Sequence, residues 1–116
     1  MRDPQQAIEE DLKIAVGVGA AMSVGSDVYP YYISEVLPNG VIGLYEPSSH
    51  FEKDWTEGSQ VVDKFDASRK SEIYLKRCYG NWWKTSRDGK TRIARFTSKW
   101  RRFTIGHASS YRDPSF

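Results

Sequence analysis

Tryptophans and basic residues are interleaved in one stretch of this sequence, from Tyr79 to His107. An indole ring offers a flat surface on which a nucleobase can stack, and lysine and arginine donate hydrogen bonds to phosphate. Proteins combine these two chemistries to bind single-stranded nucleic acids and isolated nucleotides. The expected ligand-binding residues are Trp82, Trp83, Lys84, Arg87, Arg92, Arg95, Trp100, Arg101, Arg102 and His107.

The neighbouring tryptophans give the clearest geometric expectation. Trp82 and Trp83 lie in a segment predicted to be a strand, where successive side chains point to opposite sides of the sheet. One ring should face the core, and the other should be exposed or lie at an interface. The alternative is that both rings cap the core while basic side chains lie over them with their charged ends in water.

A second basic cluster follows. Trp100 and Phe103 flank Arg101 and Arg102, whose guanidinium groups could contact phosphates. His107 could donate to a phosphate or stack on a base. A single histidine without a visible partner is more often structural or exposed to solvent, so this residue is the least specific member of the set.

Few residues could support catalysis or bind a metal. His50, Glu52 and Asp54 alternate, so in an extended segment they would share one face, as metal ligands could. In a loop-like stretch such residues are usually solvated. Cys78 could in principle pair with His107, but an isolated cysteine among apolar residues is usually a small buried side chain. We therefore predict no catalytic residues, no metal site and no cofactor, and we do not expect an enzyme.

Charge is distributed unevenly, although the formal net charge is only +2. Residues 1–66 contain 4 Lys/Arg against 12 Asp/Glu, whereas residues 67–116 contain 13 against 3. The basic half favours a polyanionic ligand, either a nucleotide or a nucleic acid. Alternatively, the two halves meet in the fold, in a homo-oligomer or on a protein partner, which would indicate a protein-interaction or structural component.

Two Asx-Gly pairs predict the hairpins that must position these residues. Asn39-Gly40 separates the alternating segment 31–36 from residues 41–46, and Asp88-Gly89 separates "NWWKTS" from "TRIARFT". Both pairs supply the positive φ angles that tight hairpin turns require. The aromatic and β-branched content around them predicts strands, with no helix longer than about two turns in the C-terminal half.

The remaining segments are less regular. Residues 1–15 predict a short helix or arm, and the glycines of "VGVGAAMSVGSD" mark close backbone approaches around a strand at 22–24. Residues 47–71 are expected to form a long loop, with a possible strand at 60–65. The resulting fold class is mostly β, either a small bent antiparallel sheet or an SH3-like or OB-like barrel.

The length of 116 residues predicts a single domain with a hydrophobic core. One cysteine cannot form an intrachain disulfide, which is typical of a reducing compartment, and we expect a cytoplasmic protein. No apolar run is long enough to suggest insertion in a membrane.

The stretch "GSDVYPYYISEV" and the terminal "YRDPSF" resemble small uncharacterised β proteins encoded by bacteriophages. The resemblance covers about a third of the chain. It implies a phage-type origin and a cytoplasmic location in the host cell. It also implies either nucleic-acid binding or interference with host defence by sequestration of a nucleotide signal. The expected function is thus non-catalytic binding of a phosphate-bearing ligand.

Overall fold

Ten short β-strands form the secondary structure of the computed structural model, which describes residues 13–50, 59–98, 101–108 and 110–111. In chain order they are β1 (Gly19–Val24), β2 (Asp27–Val36), β3 (Ile42–Tyr45), β4 (Ser49–His50), β5 (Ser59–Val62), β6 (Ile73–Cys78), β7 (Asn81–Thr85), β8 (Arg92–Arg95), β9 (Arg101–Ile105) and β10 (Ser110–Tyr111). The mostly β fold class predicted from the sequence is confirmed.

Seven strands make one antiparallel sheet in the order β9-β1-β2-β3-β6-β7-β8. The long β2 lies at its centre, because the first part of β2 pairs with β1 and the last part pairs with β3. β10 pairs with the beginning of β2 and with β5, which in turn pairs with β4. Within the described ranges no hydrogen-bonded ladder joins β8 to β9. The structure therefore has the open bent sheet rather than the closed barrel.

The sheet is strongly curled, as one aromatic contact shows. Trp82 on β7 and Phe103 on β9 are five strand spacings apart, which would be about 24 Å in a flat sheet. Their ring centroids are only 5.5 Å apart. Phe96 lies 5.5 Å from Phe103, and Tyr31 lies 5.9 Å from Phe96. These four residues, the aromatic cluster, fill the space between the two ends of the sheet.

Both hairpins predicted from Asx-Gly pairs are confirmed. The turn between β2 and β3 contains Gly40 at φ 84°, and the turn between β7 and β8 contains Gly89 at φ 74°. In the second turn the Asp88 carboxylate accepts a hydrogen bond from the Lys90 backbone N–H at 3.0 Å. No helix forms in the described part of the C-terminal half, where residues 73–78 and 81–85 are strands.

A third tight hairpin, between β6 and β7, was not predicted. Its two-residue turn is Tyr79-Gly80, with φ angles of 53° and 79°. Two positive φ values define a type I′ turn, which matches the twist of the flanking strands. Tyrosine is unusual at the first position, because its Cβ makes the left-handed conformation unfavourable. The Tyr79 side chain is 92% exposed, so no tertiary packing offsets this strain.

Other predictions for single segments have mixed outcomes. The strand expected at 22–24 is part of β1, and Gly19 is a close backbone approach, since a Cβ there would lie 2.3 Å from the Ala108 backbone nitrogen. Within the predicted loop 47–71 the structure places β4 and β5, while residues 51–58 lie outside the described ranges. The predicted helical arm at 1–15 falls almost wholly outside them as well.

The tips of the two Asx-Gly hairpins contact each other. The Asn39 amide donates a hydrogen bond to the Asp88 carbonyl. Gly89 packs so closely that a Cβ at this position would lie 2.7 Å from the side chain of the buried Val41. This contact, the tip clamp, fixes the β7–β8 hairpin relative to the β2–β3 hairpin.

The tip clamp predicts that two glycine substitutions have different costs. Gly40→Ala should lower the free energy of unfolding by about 1 kcal/mol, since φ is positive but a Cβ there meets no other atom. Gly89→Ala should cost about 1–3 kcal/mol more, because the added Cβ also overlaps Val41. Urea unfolding of both variants measures the difference, and equal costs would contradict the packed tip contact.

Candidate functional site

The two adjacent tryptophans lie on opposite sides of β7, as the strand alternation predicts. Trp82 is 3% exposed and belongs to the aromatic cluster. Trp83 is half-buried on the outer side of the sheet. The core position therefore belongs to Trp82, whereas Trp83 is partly exposed and its indole nitrogen is buried.

Three basic residues surround Trp83. The guanidinium carbons of Arg92 and Arg95 each lie 5.2 Å from the centroid of the Trp83 ring. Lys76 is the direct cross-strand partner of Trp83 on β6, and Arg95 is its partner on β8. We call these four residues the Trp83 face.

An irregularity in the β7–β8 pairing brings both arginines to the same ring. Arg95 pairs with Trp83, but Arg92 pairs with Thr85, so the four residues 92–95 of β8 match the three residues 83–85 of β7. In a regular strand, residues three apart point to opposite sides. The extra residue of a β-bulge shifts this alternation, and both guanidinium groups can then reach Trp83.

Lys76 was missed by the sequence analysis, because its position opposite Trp83 depends on a hairpin that was not predicted. Recognition of Tyr79-Gly80 as a two-residue turn fixes the register of β6 against β7. Counting back from that turn pairs Cys78 with Asn81, Arg77 with Trp82 and Lys76 with Trp83. The same count explains why the Arg77 guanidinium carbon lies 4.7 Å from the Trp82 ring centroid.

The described arginines differ in whether a carboxylate neutralises them. Arg69 pairs with Glu72 at 3.5 Å, and Arg87 pairs with Glu35 at 3.0 Å. Four others are exposed and have no carboxylate partner within the residues that the structure describes: Arg92, Arg95, Arg101 and Arg102. Within the described residues, no carboxylate therefore neutralises the positive charge of these four side chains.

An open groove of about 460 Å³ lies where β8 separates from β9. Its lining includes Arg95 and Arg101, the apolar side chains of Val24 and Phe96, and the β1–β2 turn at Gly25. The Arg101 backbone N–H donates to the Ser98 carbonyl at 3.1 Å, which bridges the start of β9 to the segment that follows β8. The groove thus combines two guanidinium groups with an apolar surface.

The other predicted binding residues do not join the Trp83 face. The Lys84 ammonium lies 5.8 Å from the Phe96 ring centroid, on the side of β7 that carries Trp82. Arg102 is exposed on the side of β9 opposite to Phe103 and Arg101. His107 is exposed beyond the far end of β9. Trp100 lies outside the described residues.

Arg87 is held by a network of hydrogen bonds on the Glu35 carboxylate. Glu35 accepts hydrogen bonds from the Ser71 hydroxyl at 2.9 Å, the Tyr74 hydroxyl at 3.3 Å and the Arg87 guanidinium. The Ser71 hydrogen bond, followed by the Arg87 hydrogen bond, lowers the pKa of Glu35 below its ordinary value. Arg87 therefore supports the tip clamp and is not part of the Trp83 face.

The described residues give no support to the catalytic alternatives. No group of three His, Cys, Asp or Glu side chains within them is arranged to hold a metal ion. The His50, Glu52 and Asp54 set falls outside the part of the structure whose side chains are described. Cys78 ends β6 and is a free thiol, and no described contact joins it to His107.

Comparisons with known proteins leave the function to be argued from the site. A search against protein-family models, curated proteins and solved structures found no match. Over the described ranges, no helix has the length and apolar character needed to cross a bilayer.

The Glu35 network predicts a pH-dependent loss of stability. The pKa of Glu35 is lower in the folded protein than in the unfolded chain, so the ionised carboxylate stabilises the fold when the pH is above the pKa of the unfolded chain. This stabilisation is lost as the pH falls through the pKa of Glu35 in the folded protein. Glu35→Gln should be less stable than wild type near neutral pH, and the difference should shrink below about pH 4.5. Thermal unfolding between pH 3 and 7 measures it.

Glu46→Gln is the matched control for this series. Glu46 is exposed and forms no ion pair within the described residues. Its substitution should leave the pH dependence of wild type unchanged. A stability difference between wild type and Glu35→Gln that stays constant down to pH 3 would show that the Glu35 charge does not stabilise the fold.

Proposed function

We propose that this protein is a non-catalytic binder of a phosphate-bearing ligand with a flat base, and that the ligand is single-stranded nucleic acid. The observation that carries the proposal is the Trp83 face, in which a partly exposed indole is surrounded by Lys76, Arg92 and Arg95. Guanidinium groups can stack on bases as well as donate to phosphate, so the two arginines contribute to both interactions.

The shape of the site favours a polymer over a small nucleotide. The Trp83 face spans three neighbouring strands, β6, β7 and β8, and its two arginines on β8 are exposed. Small-molecule sites are usually concave and bury most of their ligand. Single strands are instead bound along positively charged surfaces with aromatic rings on which successive bases stack.

Binding of this kind would also account for the sequestration implied by the resemblance to phage-encoded proteins. A protein that covers a single strand prevents enzymes from reaching it and needs no catalytic activity to do so. A nucleotide signal could be withheld in the same way, with the base against Trp83. The salt dependence of binding separates the two ligands, because only a polymer releases condensed counterions.

Removal of one arginine should weaken binding and reduce its salt dependence. Arg92→Ala should lower the slope of log K against log salt by about 0.7, the value expected for one phosphate contact on a single strand. Fluorescence titration with oligothymidylate at several salt concentrations gives this slope. Weak salt dependence of the wild type would favour the nucleotide ligand instead.

Arg69→Ala provides a matched control. Arg69 also stacks on an aromatic ring, 4.6 Å from the Tyr45 centroid, but Glu72 neutralises it. Its loss should leave affinity and salt slope unchanged. If the folded double variant Arg92→Glu/Arg101→Glu binds oligothymidylate like wild type, the proposal is wrong, and the protein-interaction alternative should be tested at the unpaired edge of β8.

The two tryptophans should respond differently to substitution. Trp83→Ala should reduce the affinity for oligothymidylate by about 1–3 kcal/mol while the protein stays folded, since the stacking surface is lost. Trp82→Ala should instead lower the free energy of unfolding by about 3–5 kcal/mol, because this ring is buried in the aromatic cluster. Denaturant unfolding and titration of each variant test both expectations. Unchanged affinity in Trp83→Ala would remove Trp83 from the site.

A further inference from the structure

We propose that the groove between β8 and β9 holds a second nucleotide of the same strand, next to the one stacked on Trp83. The bound strand would then cross the exposed edge of β8 rather than run along the sheet. This inference rests on the proposed function and specifies the path of the ligand.

Arg95 connects the two positions. Its guanidinium carbon lies 5.2 Å from the Trp83 ring centroid, and the same residue lines the groove. One side chain can therefore contact the phosphate that joins two successive nucleotides. The distance from Trp83 on β7 across β8 to the groove is about two strand spacings, or roughly 10 Å.

The groove has the chemistry that a nucleotide requires. Val24 provides an apolar surface beside the buried Phe96, and Arg95 and Arg101 line the same groove with two cations for phosphate. No carboxylate neutralises either arginine within the described part of the chain, and none belongs to the described lining of the groove. The volume of about 460 Å³ falls in the range of roughly 300–1,000 Å³ that is usual for ligand sites.

A glycine lies in the wall of the groove. Gly25 is the first residue of the two-residue turn between β1 and β2 and has a φ angle of 59°. Among the described residues, a Cβ added at this position would meet no atom within 4 Å.

Adjacent arginines on β9 provide a matched pair for the test. Arg101 lines the groove, whereas Arg102, which is also exposed, lies on the opposite side of the strand. The two variants Arg101→Ala and Arg102→Ala therefore remove the same charge at neighbouring positions. Affinities are measured for thymidylates of one to six nucleotides with wild type, both β9 variants and Arg92→Ala.

The expected result depends on ligand length. Arg92→Ala should weaken binding at every length. Arg101→Ala should leave the affinity for the mononucleotide within about twofold of wild type, but it should weaken the longer oligomers by about tenfold, the effect of one lost hydrogen bond to a charged group. Arg102→Ala should match wild type at all lengths.

Three other results would each contradict either the groove site, the path of the strand or the proposed function. If Arg92→Ala weakens binding but Arg101→Ala behaves like Arg102→Ala at all lengths, the groove is not a nucleotide site and the proposed function stands. If Arg101→Ala weakens binding of the mononucleotide as much as binding of the oligomers, a single nucleotide already occupies the groove. The proposed order, with the first nucleotide on Trp83 and the second in the groove, is then wrong. If wild type binds no thymidylate, both proposals fail. Arg101→Gln, which keeps more of the side chain, replaces Arg101→Ala if circular dichroism shows unfolding.

Discussion

The contact between Trp82 and Phe103 is the interaction on which this architecture depends. It joins strands at nearly opposite ends of the sheet, and Phe96 and Tyr31 complete the cluster with edge-to-face ring contacts. Such aromatic pairs contribute about 0.5–1.5 kcal/mol each beyond the area they bury. A closed barrel would gain its curvature from a continuous hydrogen-bonded ladder. In this sheet the described residues close the interior with side chains, and the edges of β8 and β9 stay free of strand partners.

This way of closing the interior explains how the binding residues are arranged. Trp82 points from β7 into the aromatic cluster that stabilises the curled sheet. Because side chains alternate along a strand, Trp83 then points to the outer side. The tip clamp and the Glu35 network fix the other end of the β7–β8 hairpin, so that one of its arginines, Arg87, stabilises the fold. Among the described residues, the Ser98–Arg101 bridge joins β8 to β9 and no hydrogen-bonded ladder does, and the groove lies between the two strands.

The parts of the fold that follow from local rules could be predicted from the sequence. The pairs Asn39-Gly40 and Asp88-Gly89 predict turns with positive φ angles. The placement of Trp82 and Trp83 on opposite sides of β7 follows from strand geometry alone. The hairpin at Tyr79-Gly80 could not be predicted in this way, because tyrosine is disfavoured at the position that it occupies. Lys76 was missed with that hairpin.

The features that depend on distant residues were beyond sequence reasoning. The choice of Trp82 as the buried ring depends on Phe96 and Phe103, which approach only when the sheet curls. The neutralisation of Arg87 by Glu35 joins residues that are 52 positions apart. Composition shows that the C-terminal half is basic, but only the fold separates arginines that are already paired from those that remain available.

The unpaired edge of β8 has a consequence for self-association. All four of its residues are exposed, including Ile93 at 68%, and such an edge can template pairing with another chain. Antiparallel pairing of two β8 strands would bring Arg92 of one copy toward Arg95 of the other, and like charges in cross-strand positions are unfavourable. The arginines that attract an anionic ligand thus also act as gatekeepers against aggregation. A polyanion that neutralised them without covering β8 would remove that protection.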